Sequence, residues 1–194
     1  MISPQLELLL NKAIRRANKL KHEFLTLENV LLALLTEESV SSALKACGGN
    51  LDGLTTDIDA FLKSDSNFSI ISDEEIEEIA NEQFDNEEMK KMANQNGIFY
   101  QPEISLTLQR VIQRAALHVQ SSGKGAILPI HLLVAMFSAK NSHTVFFLKK
   151  NGFERFKLID KIAHSADKPV SNTDAGGAQP VSYTHLTLPT TPYV

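Results

Sequence analysis

The chain has no tryptophan and only one cysteine in 194 residues. With Cys47 alone, no intrachain disulfide can form, and a reducing compartment such as the cytoplasm fits. Cys47 lies in an apolar helical stretch, the setting of a buried inert thiol rather than a nucleophile. No apolar run approaches the ~18 residues of a membrane span, and Met1 to Leu10 has no basic region of the kind that opens a secretory leader. The triphosphate-cradling G-x-x-x-x-G-K-[ST] loop is missing as well: Gly48 and Gly53 have its spacing, but Leu54 stands where lysine is required. His22-Glu23 is followed by Phe24 and Leu25 with no second histidine one turn on, so it is no H-E-x-x-H metal helix. There is no G-x-S-x-G elbow and no cysteine-protease signature. The histidines (22, 118, 131, 143, 164 and 185) share no ligand spacing within one helix, and His118 and His131 read as structural. No active site, cofactor site or metal site is expected in this chain.

Charge is concentrated rather than abundant. The net charge is −4, yet Ser72 to Met92 alone holds nine acidic residues against two lysines. The remainder is weakly positive and scattered, which argues against nucleic acid as a partner.

What the chain does have is a repeat. L-N-K-A-I-R-R-A at Leu10–Ala17 is echoed by L-Q-R-V-I-Q-R-A at Leu108–Ala115. A second apolar block follows each, N-V-L-L-A-L-L at Asn29–Leu35 and H-L-L-V-A-M-F at His131–Phe137. Then come Leu44-Lys45 with Gly48, and Leu148-Lys149 with Gly152. A duplicated unit of about 55–60 residues is too small to bury a large core alone, so a pseudo-symmetric domain is implied.

Within each copy the signals are helical. Ser3 can cap a helix with Pro4 at its first position, followed by Leu6, Leu9, Leu10, Ala13, Ile14 and Ala17 on one face. Thr26 suits the cap of a second helix with Glu28 in its first turn. A third helix starts near Ser39 and stops at Gly48-Gly49; a fourth carries Leu54, Ile58, Phe61 and Leu62 inward. The second copy repeats the order: Ser105 to Ser121, a helix from Pro129, one ending at Asn151-Gly152, and one with Phe156, Ile159 and Ile162 inward. No strand is expected before Ala166. The fold class is therefore all-α: two four-helix repeats, residues 1–62 and 105–165, packed into one domain spanning 1–165. Between them, residues 63–104 form an acidic linker with one or two short helices, since Ser72-Asp73-Glu74-Glu75 is a capping-box pattern followed by Ile76, Ile79, Ala80 and Phe84. Residues 166–194 read as a disordered linker and tail, and the uncharged run from Val181 reads as foreign to the domain.

Two of these stretches carry a family likeness. K-H-E-F-L-T-L-E-N-V-L-L-A-L-L at Lys21–Leu35 and S-L-T-L-Q-R-V-I-Q-R-A-A-L-H-V-Q-S-S-G-K at Ser105–Lys124 resemble the signature regions of the Clp N-terminal (Clp repeat) domain, and H-V-Q-S-S-G-K is similar to ClpA-type members. The likeness covers residues 1–165 apart from most of the acidic insert, which is longer and more acidic than the family's usual linker. It implies an N-terminal fragment of a cytoplasmic AAA+ unfoldase whose missing ATPase modules, with ATP and magnesium, form a hexameric ring and feed the ClpP peptidase. The isolated domain is expected to be monomeric, non-catalytic and without membrane contact. It is expected to dock protein substrates and a ClpS-type adaptor, with His22, Glu23, Thr26 and Glu28 as the adaptor site by similarity. Thr26 and Glu28 serve equally well as helix caps. The alternative is an autonomous helical interaction module with no ATPase.

Overall fold

Helix caps set the frame. The computed structural model describes residues 1–166 apart from 85 and 124, with the backbone alone at 164–166. The tail from Val181 and nearly all of the 166–194 linker lie outside these residues. The first unit contains α1 (Pro4–Lys19), α2 (Leu27–Leu34), α3 (Glu38–Ala46) and α4 (Leu51–Leu62). The acidic segment adds a single 3-10 turn at Asp65–Asn67, α5 (Asp73–Gln83) and α6 (Glu87–Gln95). The second unit contains α7 (Leu106–Ser121), α8 (Pro129–Met136), α9 (His143–Lys150) and α10 (Arg155–Ala166). Ser3 accepts the Leu6 N–H at the start of α1, and Ser105 accepts the Leu108 N–H at the start of α7, so both long helices open with the same device. In α5 the Ser72–Glu75 capping box forms in both directions, which lowers the Glu75 carboxyl below its usual range through the Ser72 bonds.

The two units match element by element, but in a register one turn away from the sequence echo. Structurally, Leu6 corresponds to Leu108, Leu9 to Val111, Ala13 to Ala115 and Ala17 to Val119, and all eight are buried. Setting Leu10 against Leu108 slips one helix past the other by four residues, which leaves an i, i+3, i+4 pattern almost unchanged. Both faces feed one continuous core, joined by Val30, Leu31 and Leu34 of α2 and Leu132, Leu133 and Met136 of α8.

Two expectations are corrected. A short parallel pair exists, β1 (Phe24–Leu25) with β2 (Glu103–Ile104). Its pseudo-equivalent is the parallel bridge of Ile2 to Ile127. Each lead-in to a long helix thus pairs with the other unit: Ser105 donates to the Leu25 carbonyl and Ser3 to the Ile127 carbonyl, both at 3.1 Å. The second correction is the phase of α10. Phe156 is 79% exposed and Ile159 is exposed too, while Leu158 is buried and Ile162 packs partly against the core. The phase is set upstream, where Phe153 is buried against Gly49 across the unit boundary.

That contact leaves no room for a side chain. A Cβ on Gly49 would lie 2.4 Å from the Phe153 ring. Gly49→Ala is therefore expected to destabilise the protein by about 1–3 kcal/mol in a urea titration, with partial recovery when Phe153→Leu is added.

Candidate functional site

The stretch between α1 and α2 carries three of the predicted adaptor residues, His22, Glu23 and Thr26, with Glu28 in the first turn of α2, and its path is fixed by polar groups on three sides. Lys21 turns the chain at φ 55°, a left-handed conformation, and its ammonium pairs with Asp73 at 2.9 Å. Glu23 then runs between two neighbours, its N–H donating to the Ser69 carbonyl at 3.0 Å and its carbonyl accepting the Glu103 N–H at 2.9 Å. The segment is a central rung between both ends of the acidic insert.

His22 sits beneath this ribbon, 1% exposed. Its ring stacks on Phe68 with centroids 4.1 Å apart. Nε2 donates to the Leu62 carbonyl at 3.2 Å, which leaves Nδ1 to accept from the Asn29 amide at 3.4 Å. Asn29 in turn accepts the Thr26 N–H at 3.1 Å and the Thr26 hydroxyl at 3.0 Å, capping α2. The second unit repeats the cap with an imidazole, since Nδ1 of His131 accepts the Leu128 N–H. Burial holds the His22 imidazole below its ordinary pKa, against the raising effect of the Leu62 and Asn29 bonds, so the ring is neutral at pH 7.

Glu28 is 7% exposed and reaches across the unit boundary. Oε1 accepts both the backbone N–H and the hydroxyl of Thr144, each at 2.9 Å. Thr144 lies in the first turn of α9, so the carboxylate satisfies an otherwise unpaired helix N–H and faces the positive end of that helix. The pseudo-equivalent positions are the apolar Ile130 and Val40. The polar tie is a property of this face only.

The four positions therefore divide. His22 and Glu28 are buried and internally bonded, whereas Glu23 and Thr26 are half-buried, and Glu23 has no ion-pair partner among the described residues. Beside Thr26 opens a pocket of about 200 Å³ lined by Phe24, Phe61, Phe68 and His143. Phe61 packs edge-on against Phe68 and Phe147, so the aromatic wall joins α4 to α9.

Two residues outside the predicted set hold this arrangement. Tyr100 is 1% exposed and donates its hydroxyl to the His22 carbonyl at 2.7 Å; burial raises its pKa. Asn18 is 2% exposed and its side-chain oxygen accepts the N–H groups of Phe99 and Tyr100. Asn18 has a sequence signal, being a polar residue in phase with the buried Ile14 and Ala17. Tyr100 has a weaker one, the apolar run Ile98-Phe99-Tyr100 closing a polar segment. No cluster of three or more metal-ligating side chains occurs among the described residues.

Residues 1–151 match the model of the Clp repeat N-terminal domain. The chain is 32% identical over 169 residues to a ClpA homolog protein of Fuscovulum blasticum; the match covers 87% of this chain and 18% of that protein. It therefore spans less than a fifth of that relative's length. Among solved structures, one from preliminary structural investigations of a malarial protein secretion system superposes with a TM-score of 0.61 at 14% identity, covering 87% of this chain and 97% of the other. The N-terminal domain of the caseinolytic-protease-associated chaperone ClpD from Arabidopsis thaliana does so with a TM-score of 0.52, also at 14% identity, covering 86% and 97%. These superpositions establish a shared fold.

Two outcomes test the site. Because folding holds His22 neutral, unfolding takes up a proton below the ordinary imidazole pKa of 6.5. Stability should then fall as pH drops below that value, by at most about 1.4 kcal/mol per pH unit, and be fully present above it. Urea midpoints between pH 7.5 and 5 should fall less steeply in His22→Gln than in the wild type. Glu28→Ala leaves the Thr144 N–H buried without a partner and should cost about 1–3 kcal/mol in the same titration.

Proposed function

Since the chain belongs to the Clp repeat N-terminal domain family, we propose that it is the substrate- and adaptor-docking module of a ClpA-like ATP-dependent unfoldase, in which its adaptor is of the ClpS type. The observation that carries this reading is the division at the α1–α2 connection: a half-buried, unpaired Glu23 and the Thr26 rim beside an aromatic pocket, on a backbone made rigid from below by His22, Asn29 and Tyr100. A carboxylate with no ion-pair partner among the described residues is free to make a directional contact, and Phe24 beside it, 36% exposed, adds apolar surface. His22 and Glu28 act in this reading as positioning residues. His22 holds the ribbon and Glu28 ties it to α9.

The domain contributes binding and no catalysis. Hydrolysis of ATP, with its magnesium, and delivery to ClpP are assigned to modules beyond this chain. The setting is the cytoplasm, with the isolated domain monomeric.

Isothermal titration with a ClpS-type adaptor tests the reading. Wild-type protein is expected to bind, and Glu23→Lys to weaken binding by about tenfold or more, a loss of about 1.4 kcal/mol, without a change in the urea midpoint. Absence of adaptor binding, or a Glu23→Lys variant that binds as well as wild type, would overturn it.

A further inference from the structure

We propose that a second, separate site on this domain, the pocket framed by α7, α8 and the start of α10, binds a carboxylate carried on an apolar peptide segment. The pocket measures about 300 Å³. Its rim carries Arg114 and His118 of α7, Lys140 after α8 and Arg155 at the first position of α10, over a floor that includes Val134 and Phe137. No acidic side chain among the described residues lines it. Among the described residues, Arg114, Lys140 and Arg155 take part in no ion pair.

The first unit supplies an internal control. Its pseudo-equivalent pocket, about 290 Å³, has the same frame, with Lys12 in the place of Arg114 and Arg16 in that of His118. There the cations are satisfied from within: Arg16 pairs with Asp59 of α4, and the Lys12 ammonium donates to the Thr36 hydroxyl at 3.0 Å. In the second unit the position of Asp59 is taken by Ala163, while Lys140 and Arg155 are added. The duplicated frame thus carries its counter-ion in one copy and lacks it in the other.

Like charges gathered over a concave, partly apolar wall focus a positive potential outward and attract an anion. Guanidinium groups on two sides match the planar, two-oxygen geometry of a carboxylate. The Val134 and Phe137 floor favours an anion that brings apolar surface with it, which a peptide does and inorganic phosphate does not. Two sources of that chemistry fit, an acidic side chain within a segment and the carboxylate that ends a chain. The site is spatially distinct from Glu23 and does not depend on the adaptor reading.

Fluorescence anisotropy with the full chain at low salt provides the test. Three labelled pentapeptides are compared: alternating Leu and Glu with an amidated end, alternating Leu and Gln with an amidated end, and the Leu/Gln peptide with a free carboxyl end. The Glu peptide is expected to bind at least about tenfold more tightly than the amidated Gln peptide. Binding of the free-acid Gln peptide as well assigns the chain terminus as a second source; its failure restricts the site to acidic side chains. Arg114→Gln combined with Arg155→Gln should lower affinity for the Glu peptide by about tenfold with an unchanged thermal melt. Lys12→Gln in the first-unit pocket and Glu23→Lys at the adaptor surface should leave it intact. Equal binding of the Glu and amidated Gln peptides, indifference to the double arginine variant, or full competition by millimolar sodium phosphate would overturn the proposal.

Discussion

The architecture depends on an exchange of backbone pairing between its halves. Neither lead-in segment finds its hydrogen-bond partner within its own unit: Ser3 and Ile2 pair with Ile127, and Ser105 and Ile104 with Leu25. Both long helices begin at those lead-ins, so the caps at Ser3 and Ser105, the entry angles of α1 and α7, and the buried faces behind them form together. The shared core follows from that mutual dependence, and so does the close approach of Phe153 to Gly49 at the boundary.

On this symmetric frame the two copies have diverged in polarity. The first unit keeps a polar layer under the α1–α2 connection, with Asn29, His22 and Tyr100 each satisfied and Glu28 bonded to Thr144. Buried groups of this kind are costly unless every one is paired, which is why the ribbon above them is held so firmly. The second unit has Ile130 in the place of Glu28 and a histidine in the place of Asn29. It has instead lost the carboxylate that neutralises the first unit's lateral pocket. The copies thus provide two chemically different faces from one frame: a carboxylate beside aromatic rings, and a cluster of cations over a floor that includes Val134 and Phe137.

Local devices are legible in the sequence; long-range ones are not. Ser3-Pro4, the Ser72–Glu75 box, Gly48 and Pro129 mark helix ends because a cap or stop acts within one turn. The phase of α10 departs from the sequence pattern because two apolar stripes compete on it, and Phe153 wedged against Gly49 accompanies burial of the stripe that carries Leu158. The echo between copies was visible, but its register was not, since a one-turn slip barely alters an amphipathic pattern. His22 and Glu28 were picked out by family likeness and by position. Their burial depends on Phe68, Tyr100 and Thr144, and Thr144 is 116 residues from Glu28, a separation at which no local pattern carries information. Cys47, read as an inert thiol, is partly buried in the structure, and burial raises its pKa.

The acidic insert is fastened at both ends to the same spot. Ile71 donates to the Lys21 carbonyl and Ser69 accepts from Glu23 at one end, while Phe99 and Tyr100 are held by Asn18 and His22 at the other. The segment between them is thereby a closed loop whose ends are fixed by the domain and not by its own length. The entropy of closing such a loop grows only logarithmically, about 0.6 kcal/mol for each doubling of length. Ala80 is buried within that loop and Gln83 bonds to Gln101, but α6 buries no side chain, so its exposed residues can be added, removed or exchanged for further acidic ones at little cost to the fold, and the insert can drift there in length and charge.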